Sequence, residues 1–62
     1  MKYKITAKRE SEKRLWDGVY TRTPHPDHKE ASILTNGNCE INIDDSKIEN
    51  GESDLFFITP IA

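Results

Sequence analysis

Each of the chain's three glycines stands directly after an aspartate or asparagine: Asp17-Gly18, Asn36-Gly37 and Asn50-Gly51. No other feature constrains the fold as tightly. Asn-Gly and Asp-Gly suit the type I′ turn, whose two central residues both need φ > 0, and between alternating apolar residues they mark hairpins. Three such pairs in 62 residues predict a β-meander. The expected fold is mainly β (β-rich α+β): a small antiparallel sheet of four to five strands, curled or barrel-like, with one or two short helical turns.

The segments between the glycines support this unequally. "KYKITAK" alternates, with Tyr3, Ile5 and Ala7 on one face and Lys2, Lys4, Thr6 and Lys8 on the other. That is a half-buried strand with a solvated lysine face. "RESEKRLWDG" supports two readings. One is a short helix with Ser11 as N-cap and Gly18 just past its end. The other is a hairpin in which "KRLW" and "VYTR" flank Asp17-Gly18. Thr21 and Thr23, beside Val19 and Tyr20, favour a strand after the glycine. Pro24 and Pro26 make residues 24–29 a loop, because proline lacks the N–H that a central strand donates.

"EASILTNGNCEINID" is the clearest hairpin. A two-residue loop sets Leu34 opposite Cys39 and Ser32 opposite Ile41, whereas a three-residue loop sets Ile33 opposite Cys39 and Ala31 opposite Ile41. In both registers Cys39, Ile41 and Ile43 face the core while Glu40 and Asn42 face outward. "DDSKIENGE" reads as one helical turn, capped by Asp44 or Asp45 and stopped at Gly51. "DLFFITP" is continuously apolar from Leu55 to Ile58 and closes on Pro60. A strand without alternation calls for cover on both faces. The core supplies one cover; the other calls for a helix from 10–16 or 44–49, or for a partner chain.

Sixty-two residues predict one domain, 1–62. A chain of this size buries only about 60% of the surface its unfolded form exposes, so its stability is marginal without help. Hydrophobic residues make up 34% and charged residues 32%, a thin core. Cys39 is the single cysteine, which rules out an intrachain disulfide. The start of the chain is charged from Lys2 and lacks a signal peptide's apolar stretch. No apolar run approaches the roughly 20 residues of a membrane span. The expectation is a soluble cytoplasmic protein with no membrane partner.

The net charge of −2 conceals a split. Residues 1–29 carry eight basic and four acidic side chains, net +4; residues 30–62 carry one basic and seven acidic, net −6. In a compact domain such halves interleave, and the split reads first as strands of one half pairing with the other.

Candidate chemistry is sparse. "TPHPDHKE" holds both histidines, His25 and His28, with Asp27 between them. The prolines around His25 deny the pair a helical spacing, and no second ligand pair completes the four donors of a structural zinc site. The stretch reads as a stiff surface loop, with no metal. Cys39 with a histidine would make a nucleophile and base, but a place beside the turn on the core face, next to Glu40, disfavours a thiolate. Asp44 and Asp45 read as helix caps. No phosphate-cradling loop occurs. The expectation is no enzyme and no cofactor.

Two binding roles remain. Trp16, Tyr20 and Tyr3 interleave with Lys4, Arg14 and Arg22, the ingredients of a small β-barrel that binds single-stranded nucleic acid. A hairpin about Asp17-Gly18, however, puts Trp16 and Tyr20 on opposite faces. The favoured role is a small regulatory or binding protein acting through protein–protein contacts, with itself or with a larger partner. Its expected contact residues are Trp16, Tyr20, Arg22 and Phe57, since Trp, Tyr and Arg most often dominate binding energy.

Overall fold

A computed structural model describes residues 1–61. In chain order it contains β1 (Lys2–Ala7), a 3₁₀ turn (Glu10–Glu12), α1 (Lys13–Trp16), β2 (Gly18–Pro24) and β3 (Ala31–Thr35). β4 (Glu40–Asp44), α2 (Asp45–Asn50) and β5 (Phe56–Ile61) follow. The five strands form one antiparallel sheet in the order β4-β3-β2-β1-β5, curled into a half-barrel. The mainly β architecture is as predicted, although only one of the three Asx-Gly pairs turns a hairpin.

The concave face carries the core: Tyr3, Ile5 and Ala7 from β1, Tyr20 from β2, Leu34 from β3, Ile41 and Ile43 from β4, and Phe56 and Ile58 from β5. α2 takes the chain from one edge strand to the other and adds Ile48. Each large aliphatic side chain buried here contributes roughly 1.5–3 kcal/mol. With so few of them, the fold depends on nearly all.

The three glycines do three different jobs. Gly37, at φ +92°, sits in the β3–β4 hairpin, as expected. Gly51, at φ +81°, ends α2, and its N–H donates to the carbonyls of Lys47 and Ile48 at 3.0 and 3.2 Å. Gly18 has no positive φ; it opens β2, so the helical reading of residues 10–16 holds and the hairpin reading does not.

The reason lies at the end of β1. The β1–β2 ladder stops at Ile5 opposite Gly18, so the N–H and C=O that Ala7 turns toward the β2 side meet no strand, although β5 runs along its other side. Asp17 accepts the Ala7 N–H at 2.7 Å through Oδ1, and Lys13 Nζ donates to the Ala7 carbonyl at 2.9 Å. The helical turn brings both side chains to this spot. Ser11 lies inside the 3₁₀ turn instead of capping α1, and neither helical segment there has a side-chain cap.

The β3–β4 loop is longer than either predicted register. Thr35 pairs with Glu40, Leu34 with Ile41 and Ser32 with Ile43, so Asn36–Cys39 form a four-residue loop. Asn36 Oδ1 stabilises it by accepting the N–H groups of Asn38 and Cys39 at 2.9 and 2.8 Å. An Asx turn of this kind extends the loop past the minimal hairpin. Leu34, Ile41 and Ile43 still share the core face, because lengthening the loop by two residues preserves strand parity.

β5 corrects the reading of "DLFFITP" as a strand covered on both faces. Phe56 and Ile58 are buried, but Phe57 between them is 48% exposed on the convex side. Trp16 and Ile48 pack against the core, so both helices serve the concave face and leave the convex one uncovered. Pro24 belongs to β2, pairing with Ser32, at a point where β2 overhangs β1. The missing N–H there breaks no ladder.

Candidate functional site

The sheet has two outer edges, and the backbone of each can be followed group by group. In an antiparallel ladder, alternate residues direct N–H and C=O toward the neighbour, and the residues between direct theirs away. Lys8 N–H donates to the Leu55 carbonyl at 2.9 Å, which sets the phase of β1 with β5. Phe56, Ile58 and Pro60 thus point their backbone groups to the free side of β5.

That side is occupied. The Ser53 N–H donates to the Phe56 carbonyl at 2.8 Å, the Phe56 N–H donates to Ser53 Oγ at 3.3 Å, and the Ile58 N–H donates to the Gly51 carbonyl at 2.8 Å. Pro60 has no N–H to offer. The segment 51–53, returning from α2, seals this edge.

β4 differs. The Asn36 N–H donates to the Cys39 carbonyl at 3.3 Å and the Asp45 N–H to the Glu30 carbonyl at 2.9 Å, which fixes the phase of β3 with β4. Ile41 and Ile43 bond to β3, while Glu40 and Asn42 direct N–H and C=O away from it. Among the described residues, no hydrogen bond reaches those outward groups. Beside them the half-barrel stays open. A groove of about 190 Å³ lies between β4 and the segment before β5, lined by the apolar Ile41, Ile43, Leu55 and Phe56 and by Asn42, Lys47, Ser53 and Asp54.

The predicted contact residues are scattered around this fold. Tyr20 is fully buried, and its hydroxyl donates to the Trp16 carbonyl at 2.7 Å, so it offers no surface to a partner. Burial, with Cys39 alongside, pushes its phenol up to about 12. Trp16 is half-buried and sets its ring edge-on to Phe56, with centroids 5.5 Å apart. With Tyr3 also buried, the aromatics of the basic half form no stacking platform. Phe57 is exposed on the convex face with Lys8 Nζ 5.0 Å from its ring centroid. Lys2, Lys4 and Thr6 separate it from Val19 and interrupt any continuous apolar patch.

Arg22 points inward. Its Nε donates to Ser32 Oγ at 3.0 Å, one terminal nitrogen to Tyr3 Oη at 3.1 Å and the other to Asp45 Oδ1 at 2.9 Å. Ser32, itself buried, donates its hydroxyl hydrogen bond to Asp45 Oδ1. These bonds, Ser32's first and then Arg22's, hold the Asp45 carboxyl below its ordinary value against partial desolvation. Asp45 thereby ties the start of α2 to β2, while Asp44 takes the N-cap position with no side-chain bond. Lys8 also pairs with Glu52, so the two ion pairs among the described residues each join the basic half to the acidic half.

A bend at Pro26-Asp27 folds the histidine loop back on itself, and His25 and His28 meet at 4.7 Å between centroids. The Asp27 N–H donates to His25 Nδ1 at 3.0 Å. The two rings border an open cleft with Glu30, Asn42 and Asp44, on the convex side of β4. No group of three or more His, Cys, Asp or Glu among the described residues is arranged to hold a metal ion. Among the described residues, no helix is long and apolar enough to cross a membrane.

Fold and edges together define a class: a small antiparallel half-barrel, sealed by its own chain along β5 and, among the described residues, unpaired along the outer side of β4. Comparison with protein-family models, with curated proteins and with solved structures finds no match. The β4 edge was not among the residues that sequence reasoning selected. "CEINID" announces a half-buried strand, but nothing local in it says that no other strand lies beyond it.

Proposed function

We propose that this chain is a small, non-enzymatic, cytoplasmic binding module that takes up an extended segment of a protein partner along β4. One observation carries the reading: the outward N–H and C=O groups of Glu40 and Asn42 are unpaired beside an apolar groove. A strand added to a free sheet edge gains main-chain hydrogen bonds, and alternate side chains entering pockets supply specificity. Ile41 and Ile43, each 8% exposed, are the least buried of the core side chains and flank the place where such residues would enter. A regulator of a larger protein fits this size and mode. The single cysteine, with no disulfide to form, fits a reducing compartment.

Asn42→Pro tests the reading. Its N–H faces away from β3, so proline removes the outward donor and spares the β3–β4 ladder. Proteins retained from the source cell by the wild type and lost with Asn42→Pro, at an unchanged melting temperature, support the β4 edge as the contact. Equal retention by both overturns it.

A further inference from the structure

We infer that the segment β4 accepts alternates apolar with basic residues. The inference rests on the strand-accepting reading of β4 and deepens it. A strand paired to β4 continues the pleat, so its side chains fall alternately on the concave and convex faces. Those on the concave side enter the groove of Ile41, Ile43, Leu55 and Phe56 and must be apolar. Those on the convex side stand against the row Glu40, Asn42 and Asp44, all exposed. Asp27 and Glu30, from the histidine loop, line the same cleft, together with Lys29 and the rings of His25 and His28. Opposite charges across a strand pair stabilise it, and like charges destabilise it.

The same charges argue against a second copy as occupant. Two β4 strands meeting antiparallel about Asn42 place Glu40 of each opposite Asp44 of the other. Two like-charged pairs then fall within one short ladder, so self-pairing is penalised at the position where a lysine or arginine strand is favoured.

The test uses three synthetic seven-residue peptides, in which valine alternates with lysine, serine or glutamate. Each is titrated into the full chain while the backbone amides of residues 40–44 are followed by NMR. The lysine peptide is expected to shift Glu40 and Asn42 and to bind about tenfold or more tightly than the serine peptide, an advantage that shrinks as salt rises. The glutamate peptide is expected to bind weakest, and Glu40→Lys/Asp44→Lys to reverse the order. Equal binding of the lysine and serine peptides overturns the charge inference and leaves the edge reading standing. Silence from all three overturns the edge reading as well. Dimerisation of the free chain through β4 overturns the basic partner in favour of a second copy.

Discussion

β4 and β5 are the outermost strands of one sheet, similar in length and both with alternating burial, yet their free sides are unlike. β5 meets a returning segment that bonds Phe56 and Ile58, and Pro60 removes a further donor. β4 runs straight into α2, and none of the described residues hydrogen-bonds to its outward backbone groups. Exposed edges invite unwanted pairing, and proteins blunt them with proline, covering loops or charge. β5 uses the first two devices. β4 has only charge, in Glu40 and Asp44, and charge discriminates among partners instead of blocking all of them. The closed edge serves stability, and the open one is where recognition is to be sought.

The largest expected effect falls on the closed side. Phe56→Ala removes the ring that Trp16 packs against and should cost about 4 kcal/mol, from a total of roughly 3–9 kcal/mol for a chain this short. Urea unfolding of the variant should show a sharply lowered midpoint.

Next come two proline substitutions one residue apart. Ile41→Pro deletes an N–H that β3 uses and should cost about 3 kcal/mol or more. Asn42→Pro deletes an outward one and should stay within about 0.5 kcal/mol. Similar losses in both variants would mean that β4's outer groups are paired after all.

Gly51→Ala probes the seal on β5. A Cβ there meets the Ile58 carbonyl at 3.4 Å, and the φ of +81° is unfavourable for alanine. The expected cost is about 1–2 kcal/mol, with faster hydrogen exchange at the Ile58 amide.

Acid acts on the anchors of both edges. Asp45, at the end of β4, and Glu52, in the segment covering β5, are each held below their ordinary pKa, by Ser32 and Arg22 and by Lys8 respectively. Depressed folded-state values add stability at pH above the unfolded pKa values of 3.8 and 4.5, and that contribution fades as pH falls through and below them. Urea midpoints between pH 7 and pH 2 should fall less steeply for Asp45→Asn and Glu52→Gln than for the wild type. Parallel curves would remove these pairs from the account.

Ser53→Ala should have the smallest effect, about 0.5 kcal/mol. It should raise exchange at the Phe56 amide toward the rate that Asn42 already shows in the wild type. A slow Asn42 amide in the wild type would break the comparison at its root.

Much of this fold was legible in the residues. The alternation of Tyr3, Ile5 and Ala7 and the outward placement of Glu40 and Asn42 follow from period-two patterning, and the stop at Gly51 from local chain chemistry. Asp17-Gly18 misled in one of its two readings because the same dipeptide suits a hairpin and a helix exit, and only the stretch of β1 that extends past β2 distinguishes them. Arg22 looked like a contact residue because side-chain type says nothing about which face a neighbouring strand will cover. The candidate site was the least legible part, since an edge is defined by what is absent beside it.

Local patterning by itself therefore determined that the chain is mainly β, which residues of β1 and β4 face inward, and where α2 ends. Those properties depend on interactions within a few residues of one another. Tertiary structure alone decided that β5 lies beside β1, that segment 51–53 seals it, that Arg22 meets Asp45, and that β4 is left unpaired. Each of these joins groups distant in sequence, and strand order has no signature in any single strand.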